Sequence, residues 1–237
     1  MASRNASFHE GVFAGALLAP LKIGFVVLLA LLGIVVVAWI VDWTFVFKVW
    51  PEGVVRLKGI LAADLARALE LAEWQCGMSG AVTGTANFVY GLMFGVTGIH
   101  DMGIRFAQGV PLSIPDTIVR TTYLANVEAI EVAMIGTQLL GVRLVMLAMM
   151  APLLMLVYLV AAADGLTQRA MRRACGGRES ASLYHRAKHL QVMFLAMGGV
   201  LVLIHPVSID PRLAGVPVAL LTGLLARLQW ACYKKHL

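Results

Sequence analysis

His185 and His189 stand four residues apart in a stretch that also carries Cys175, a spacing at which two imidazoles share one face of a helix and could hold a metal. Six Lys/Arg share that stretch and no HExxH motif or fixed acid accompanies it, so both histidines read as cations of a basic loop. Glu128 and Glu131 also share a helical face, as an acid–base pair would, and read instead as a solvated face. Cys76, Cys175 and Cys232 are scattered without CxxC spacing and give neither a disulfide framework nor a zinc site. The sequence holds no GxxxxGK[ST], so the phosphate cradle of a P-loop ATPase is missing, and no GxSxG. These residues point to no catalytic group, metal or cofactor, and so to a protein that is not an enzyme.

The elements that carry them are those of a membrane protein. Of 237 residues 60% are hydrophobic and 14% charged, with a mean hydropathy of +0.83, where soluble chains carry roughly 25% charge. Apolar residues come in blocks rather than in alternation, which predicts spanning helices and excludes a β-barrel. The fold class is all-α, a single polytopic membrane domain over 1–237. The net charge of +6 would suggest nucleic acid in a soluble chain; here it reads as topological charge, and direct nucleic-acid binding is not expected.

Four spans are expected. The first, 23–47, follows a cytoplasmic tail 1–22 and has the length of an uncleaved signal anchor. Its apolar run, 23–41, is bounded by Lys22 and Asp42, read as an end marker, and Trp39, Trp43 and Trp50 suit an interfacial belt. In the second, 143–163, twenty uncharged residues follow Arg143 and precede Asp164, which read as end markers. Pro152 predicts a kink, or a carbonyl satisfied by a neighbouring helix. The third, 190–209, and fourth, 213–233, are joined through Asp210, Pro211 and Arg212 and should form a tight hairpin. No acid lies deep in a span, which argues against a proton or cation pathway. Between spans two and three, Arg169, Arg172, Arg173, Arg178, Arg186 and Lys188 face Glu179 alone, so that loop lies in the cytoplasm and 48–142 outside.

Residues 74–99 hold no formal charge and would give a fifth span if they crossed. They are only weakly apolar, so four spans are favoured. Gly77, Gly84, Gly91 and Gly98 recur every seven residues, with Gly80 and Gly95 beside them. On a helix they form one small-residue stripe, a candidate surface for close helix packing within the protein or with a partner. Before it, Val54, Leu57, Leu61, Leu65, Ala68 and Ala72 oppose Arg56, Asp64, Arg67 and Glu70, which predicts an amphipathic helix able to lie on the membrane. Asp116 is a plausible cap for a helix carrying Ile118, Leu124, Val127 and Ile130 that is continuous with span two.

The loop 164–189 has order beyond charge. Leu166, Ala170 and Ala174 share one helical face and Arg169, Arg172 and Arg173 another, so span two should extend roughly 15 Å into the cytoplasm. Cys175, Gly176 and Gly177 then end the helix, and a second starts near Glu179 or Ser180. This basic hairpin, 164–189, is a candidate docking surface for anionic lipid or a protein partner, with the six basic residues named above as its contacts.

The same loop carries a family pattern, D-G-L-x-Q-R-x-x-R-R from Asp164 to Arg173 and then G-R-E-S-x-x-x-Y-H-x-A-K from Gly177 to Lys188. It resembles the integrating conjugative element membrane proteins, a family of unknown function encoded with type IV secretion-like conjugation genes. The resemblance implies the bacterial inner membrane, horizontal gene transfer by conjugation, and a place near the coupling ATPase; it supplies no site residues. The expectation is a non-enzymatic docking or assembly subunit of a conjugative apparatus. The alternatives are a small transporter or channel, or an immunity factor protecting the host cell.

Overall fold

The structure, a computed structural model, describes residues 2–75, 77–108, 114–175 and 181–233. Every regular element among them is helical: α1 (Ala2–Thr44), α2 (Val54–Trp74), α3 (Ser79–Tyr90), α4 (Ile99–Ala107), α5 (Ile114–Ala125), α6 (Val127–Ala174), α7 (Ala181–Ile204) and α8 (Pro211–Ala231). π-Helical turns occupy Phe45–Val49 and Gly91–Gly95. Four stretches are long and apolar enough to cross a membrane: Gly24–Val49, Val127–Ala174, Ser182–Ile204 and Pro211–Ala231. The expected all-α class with four such helices holds.

The chain divides into two compact units, Met1–Val37 and Ala38–Leu237. In the first, α1 exposes an apolar run that includes Phe25, Val26, Leu28 and Leu29. The second is organised around α6. At 48 residues α6 is about 72 Å long, more than twice a hydrocarbon core. Glu128 in its first turn and Arg172 and Arg173 in its last suit the helix dipole.

α2 runs in the same direction as α6. Leu57 and Ile60 pack on Val132, Ile135 and Leu139, while further along Ala68 and Ala72 pack on Val142, Val145 and Met149. α3 returns the other way, with Ala86 at Gly141 and Tyr90 at Met134. A Cβ on Gly141 would lie 2.8 Å from the Ala86 Cα, so that crossing needs glycine. α8 again follows α6: Gly215 sits against Met150 at its start, and at its end a Cβ on Gly165 would lie 2.6 Å from the Arg227 carbonyl. α7 packs on α8 far more than on α6.

Local chemistry explains the boundaries. Asp210 caps α8 by accepting from the Arg212 N–H at 2.9 Å, and Pro211 occupies the first helical position, where its missing N–H costs nothing. α7 ends at Ile204, short of the expected 209, because Pro206 disfavours helix at the residue before it. α6 runs unbroken through Pro152, and in the turn before that proline the Met149 carbonyl accepts from Gln75 Nε2 at 2.9 Å. Pro152 withdraws the intrahelical donor of the Ala148 carbonyl, one residue earlier, so this contact is made beside the freed carbonyl and not to it.

Several expectations change. α2 packs one stripe along α6, and Asp64, assigned to its polar face, lies on that stripe at 1% exposed. The helix after Pro115 is not continuous with span two, since α5 stops at Ala125 and α6 restarts after Asn126. α5 begins at Ile114, so Asp116 does not precede it. Val127 and Ile130 belong to α6, which reaches back well beyond residue 143. Residues 74–99 form no single straight helix: after α3 and its π-turn, Gly98 at φ 73° turns the chain, and Ser79–Gly95 and Ile99–Ala107 meet at a 76° bend.

Candidate functional site

Two constellations of charge stand on α6. The first centres on Arg143, read above as an end marker and found instead 3% exposed in the middle of the helix. Its Nε donates to Asp64 Oδ2 at 2.9 Å, and its Nη1 and Nη2 donate to the carbonyls of Leu203, at 3.2 Å, His205, and Val207, at 3.3 Å. Ser208 donates to the other Asp64 oxygen and accepts from Arg67. One buried pair thus ties α2 and α6 to the link between α7 and α8, where the carbonyls freed by the end of α7 need donors. Each charge is compensated, as burial requires. Below it an apolar cavity of about 100 Å³ opens between α6, α7 and α8.

Asp42 also departs from its reading as an end marker. α1 continues past it to Thr44, and the carboxylate is 4% exposed, close against Gly136. On either side Trp39 Nε1 donates to Thr137 Oγ1 and Trp43 Nε1 to the Ala129 carbonyl, each at 3.0 Å. Glu131 pairs with Lys58 at 2.6 Å on an exposed face, and Glu128 is exposed.

The second constellation is the basic hairpin. α6 does extend through Asp164 to Ala174, and the glycine turn with Arg178 and the expected helix start near Glu179 lie outside the described residues. The faces are reversed from expectation. Leu166 is 43% exposed, whereas the arginine face turns to the end of α8. Arg169 stacks 5.3 Å over the Tyr233 ring, and Arg172 Nη2 donates to the Ala231 carbonyl at 3.0 Å, where an α-helix leaves acceptors unpaired. Arg227 pairs with Asp164 at 2.6 Å, and Trp230 Nε1 donates to Tyr158 at 3.0 Å. Tyr184 of α7 meets Tyr233 edge-on, so all three helices join here. Arg173 is engaged as well. Arg186 and Lys188, on the first turns of α7, are exposed beside His185 and His189.

The glycine stripe is not brought together as one helical face. Gly77 and Gly98 have φ of 76° and 73° and lie in turns, and Gly91 and Gly95 bound the π-turn. A Cβ at Gly77, Gly80, Gly84, Gly91, Gly95 or Gly98 would meet nothing within 4 Å, so none of them packs against the rest of the chain. Close neighbours stand instead at Gly136, Gly141, Gly165, Gly215 and Gly223, on α6 and α8, and at Gly103 on α4, which faces the Tyr123 hydroxyl.

Residues 65–234, from the middle of α2 through the hairpin to the end of α8, match the family model described as IncC plasmid conjugative DNA transfer protein DtrJ-like. The chain belongs to the DtrJ-like family. The expected association with conjugation holds, and a role in conjugation follows from the family. The DtrJ-like match leaves out α1 and the first part of α2, and it covers Arg143 and both ends of the hairpin. No curated protein and no solved structure matches the chain.

Proposed function

We propose that this protein is a non-enzymatic, multi-pass subunit of the bacterial inner membrane that serves a type IV secretion-like conjugation apparatus by docking a cytoplasmic partner, the coupling ATPase. DtrJ-like membership carries the process. The four apolar helices support the membrane, and the excess of Lys/Arg between α6 and α7 supports their placement in the cytoplasm. The family is described from a plasmid, and integration of the encoding element into a chromosome is part of this proposal alone.

The docking surface is smaller than the sequence suggested. Arg169 and Arg172 brace α8, which leaves Arg186 and Lys188, exposed with two histidines on one end of α7, to meet an acidic partner. The test is recovery of the coupling ATPase with solubilised protein from mating donors. Arg186→Glu with Lys188→Glu should abolish recovery while membrane levels hold; unchanged recovery would remove the docking role.

A further inference from the structure

A second groove, of about 210 Å³, lies where the end of α2 meets the start of α8 against α6. Its polar groups stand at one end only: Gln75, at the end of α2, and Arg212, in the first turn of α8. The rest of the lining is apolar, with Leu71, Met149, Leu153 and Val216 among it. α6 and α8 run in the same direction away from that polar end. One turn beyond Leu153 and Val216 on the same faces, Leu156 at 60% and Leu220 at 65% exposed continue the apolar track.

The polar end has the chemistry of a lipid headgroup zone. Trp74 closes α2 with its indole 80% exposed, and the Arg212 guanidinium stands 6.0 Å over that ring. Amphipathic indoles collect at the membrane–water interface. Arg212 is 49% exposed, and Glu70 takes its Nη2 at 2.7 Å. A guanidinium has five donors in a planar fork that matches a phosphate, so one carboxylate does not exhaust it. A cation at the mouth of an apolar track complements a phosphodiester with an acyl chain below it.

We propose that this groove binds one membrane glycerophospholipid, with its phosphate on Arg212 and one acyl chain along Met149, Leu153 and Val216. The site rests on the membrane reading above, and it lies on the side of the molecule opposite the basic hairpin. A bound lipid would fill the space between α2 and α8 beside the buried pair.

Native mass spectrometry of the full-length protein, extracted from membranes and stripped of lipid, tests this by titration with phosphatidylglycerol and with a diacylglycerol of the same chains. Phosphatidylglycerol should bind at least about tenfold more tightly, the scale of one charge-assisted contact. Arg212→Leu should erase that preference, Val216→Trp should weaken both ligands, and the exposed change Glu70→Gln should strengthen phosphatidylglycerol by freeing the guanidinium. Equal binding of the two lipids, indifference to both Arg212→Leu and Val216→Trp, or displacement by millimolar inorganic phosphate would overturn the site. Recovery of the protein without membranes or detergent would instead sink the membrane reading beneath it.

Discussion

Arg143 and Arg172 stand on the same helix and do the same chemistry, donating to backbone carbonyls freed where another helix ends, yet one is buried and the other exposed. The difference lies in what surrounds the carbonyls. Arg143 meets the link between α7 and α8 inside the packing of α2 on α6, where a lone cation would be untenable, and Asp64 is present to neutralise it. Arg172 meets the end of α8 at the surface, where water screens its charge and an aromatic neighbour on the next turn, Tyr233 under Arg169, supplies the packing. The buried arginine is thus a fixed joint of the fold, and Arg169 and Arg172 form a brace that leaves Arg186 and Lys188 exposed for the proposed partner.

Removing the buried joint should have the largest effect. Arg143→Met takes the closest cation from the buried Asp64 carboxylate, leaving it Ser208 and Arg67 at 3.6 Å, and should cost about 3 kcal/mol, seen as a lowered unfolding midpoint or lost protein in membranes. Adding Asp64→Leu should recover part of it, because no charge is then stranded. If the single change left the midpoint alone, the pair would not be the joint described. Next comes Gly165→Leu, which forces α8 off α6 and should cost about 1–3 kcal/mol by the same measure. Arg172→Ala loses only an exposed carbonyl contact, about 0.3–1 kcal/mol, and a loss as large as that of Arg143→Met would erase the contrast between the two ends.

The smallest effect belongs to the open glycines. Gly84→Ala meets nothing within 4 Å and should stabilise α3 by up to about 1 kcal/mol in the isolated protein. A transfer defect with that stability gain intact would show that a partner helix uses this face.

The spans were legible because their signal is composition in blocks, which tertiary context does not overwrite. α8 was legible to within two residues at each end, and its start was set late because Asp210 and Pro211, which cap it and open it, were assigned to the link. Asp64 was misplaced because its charge was weighed above its spacing, although positions 57, 60, 64, 68 and 72 form one helical stripe and all are buried. Arg143 was misplaced for the same reason: a charge beside an apolar run looks like its end unless its partner, 79 residues away, is known. The glycine pattern failed through backbone conformation, since a periodic spacing carries no sign that two members turn the chain at positive φ. In the hairpin, arginines were assumed to face water, and nothing local announced that Tyr233 and the end of α8 would receive them.

The claim at the centre of this account is that the exposed basic start of α7, and not the bracing arginines, engages the conjugation apparatus. Transfer frequency from donors carrying Arg186→Glu with Lys188→Glu, measured beside the amount of protein in the membrane fraction, tests it most directly. The account predicts a fall of at least about tenfold, the loss of roughly 1.4 kcal/mol of coupling, at unchanged protein level. Transfer at the wild-type frequency with the protein present and both charges reversed would contradict it.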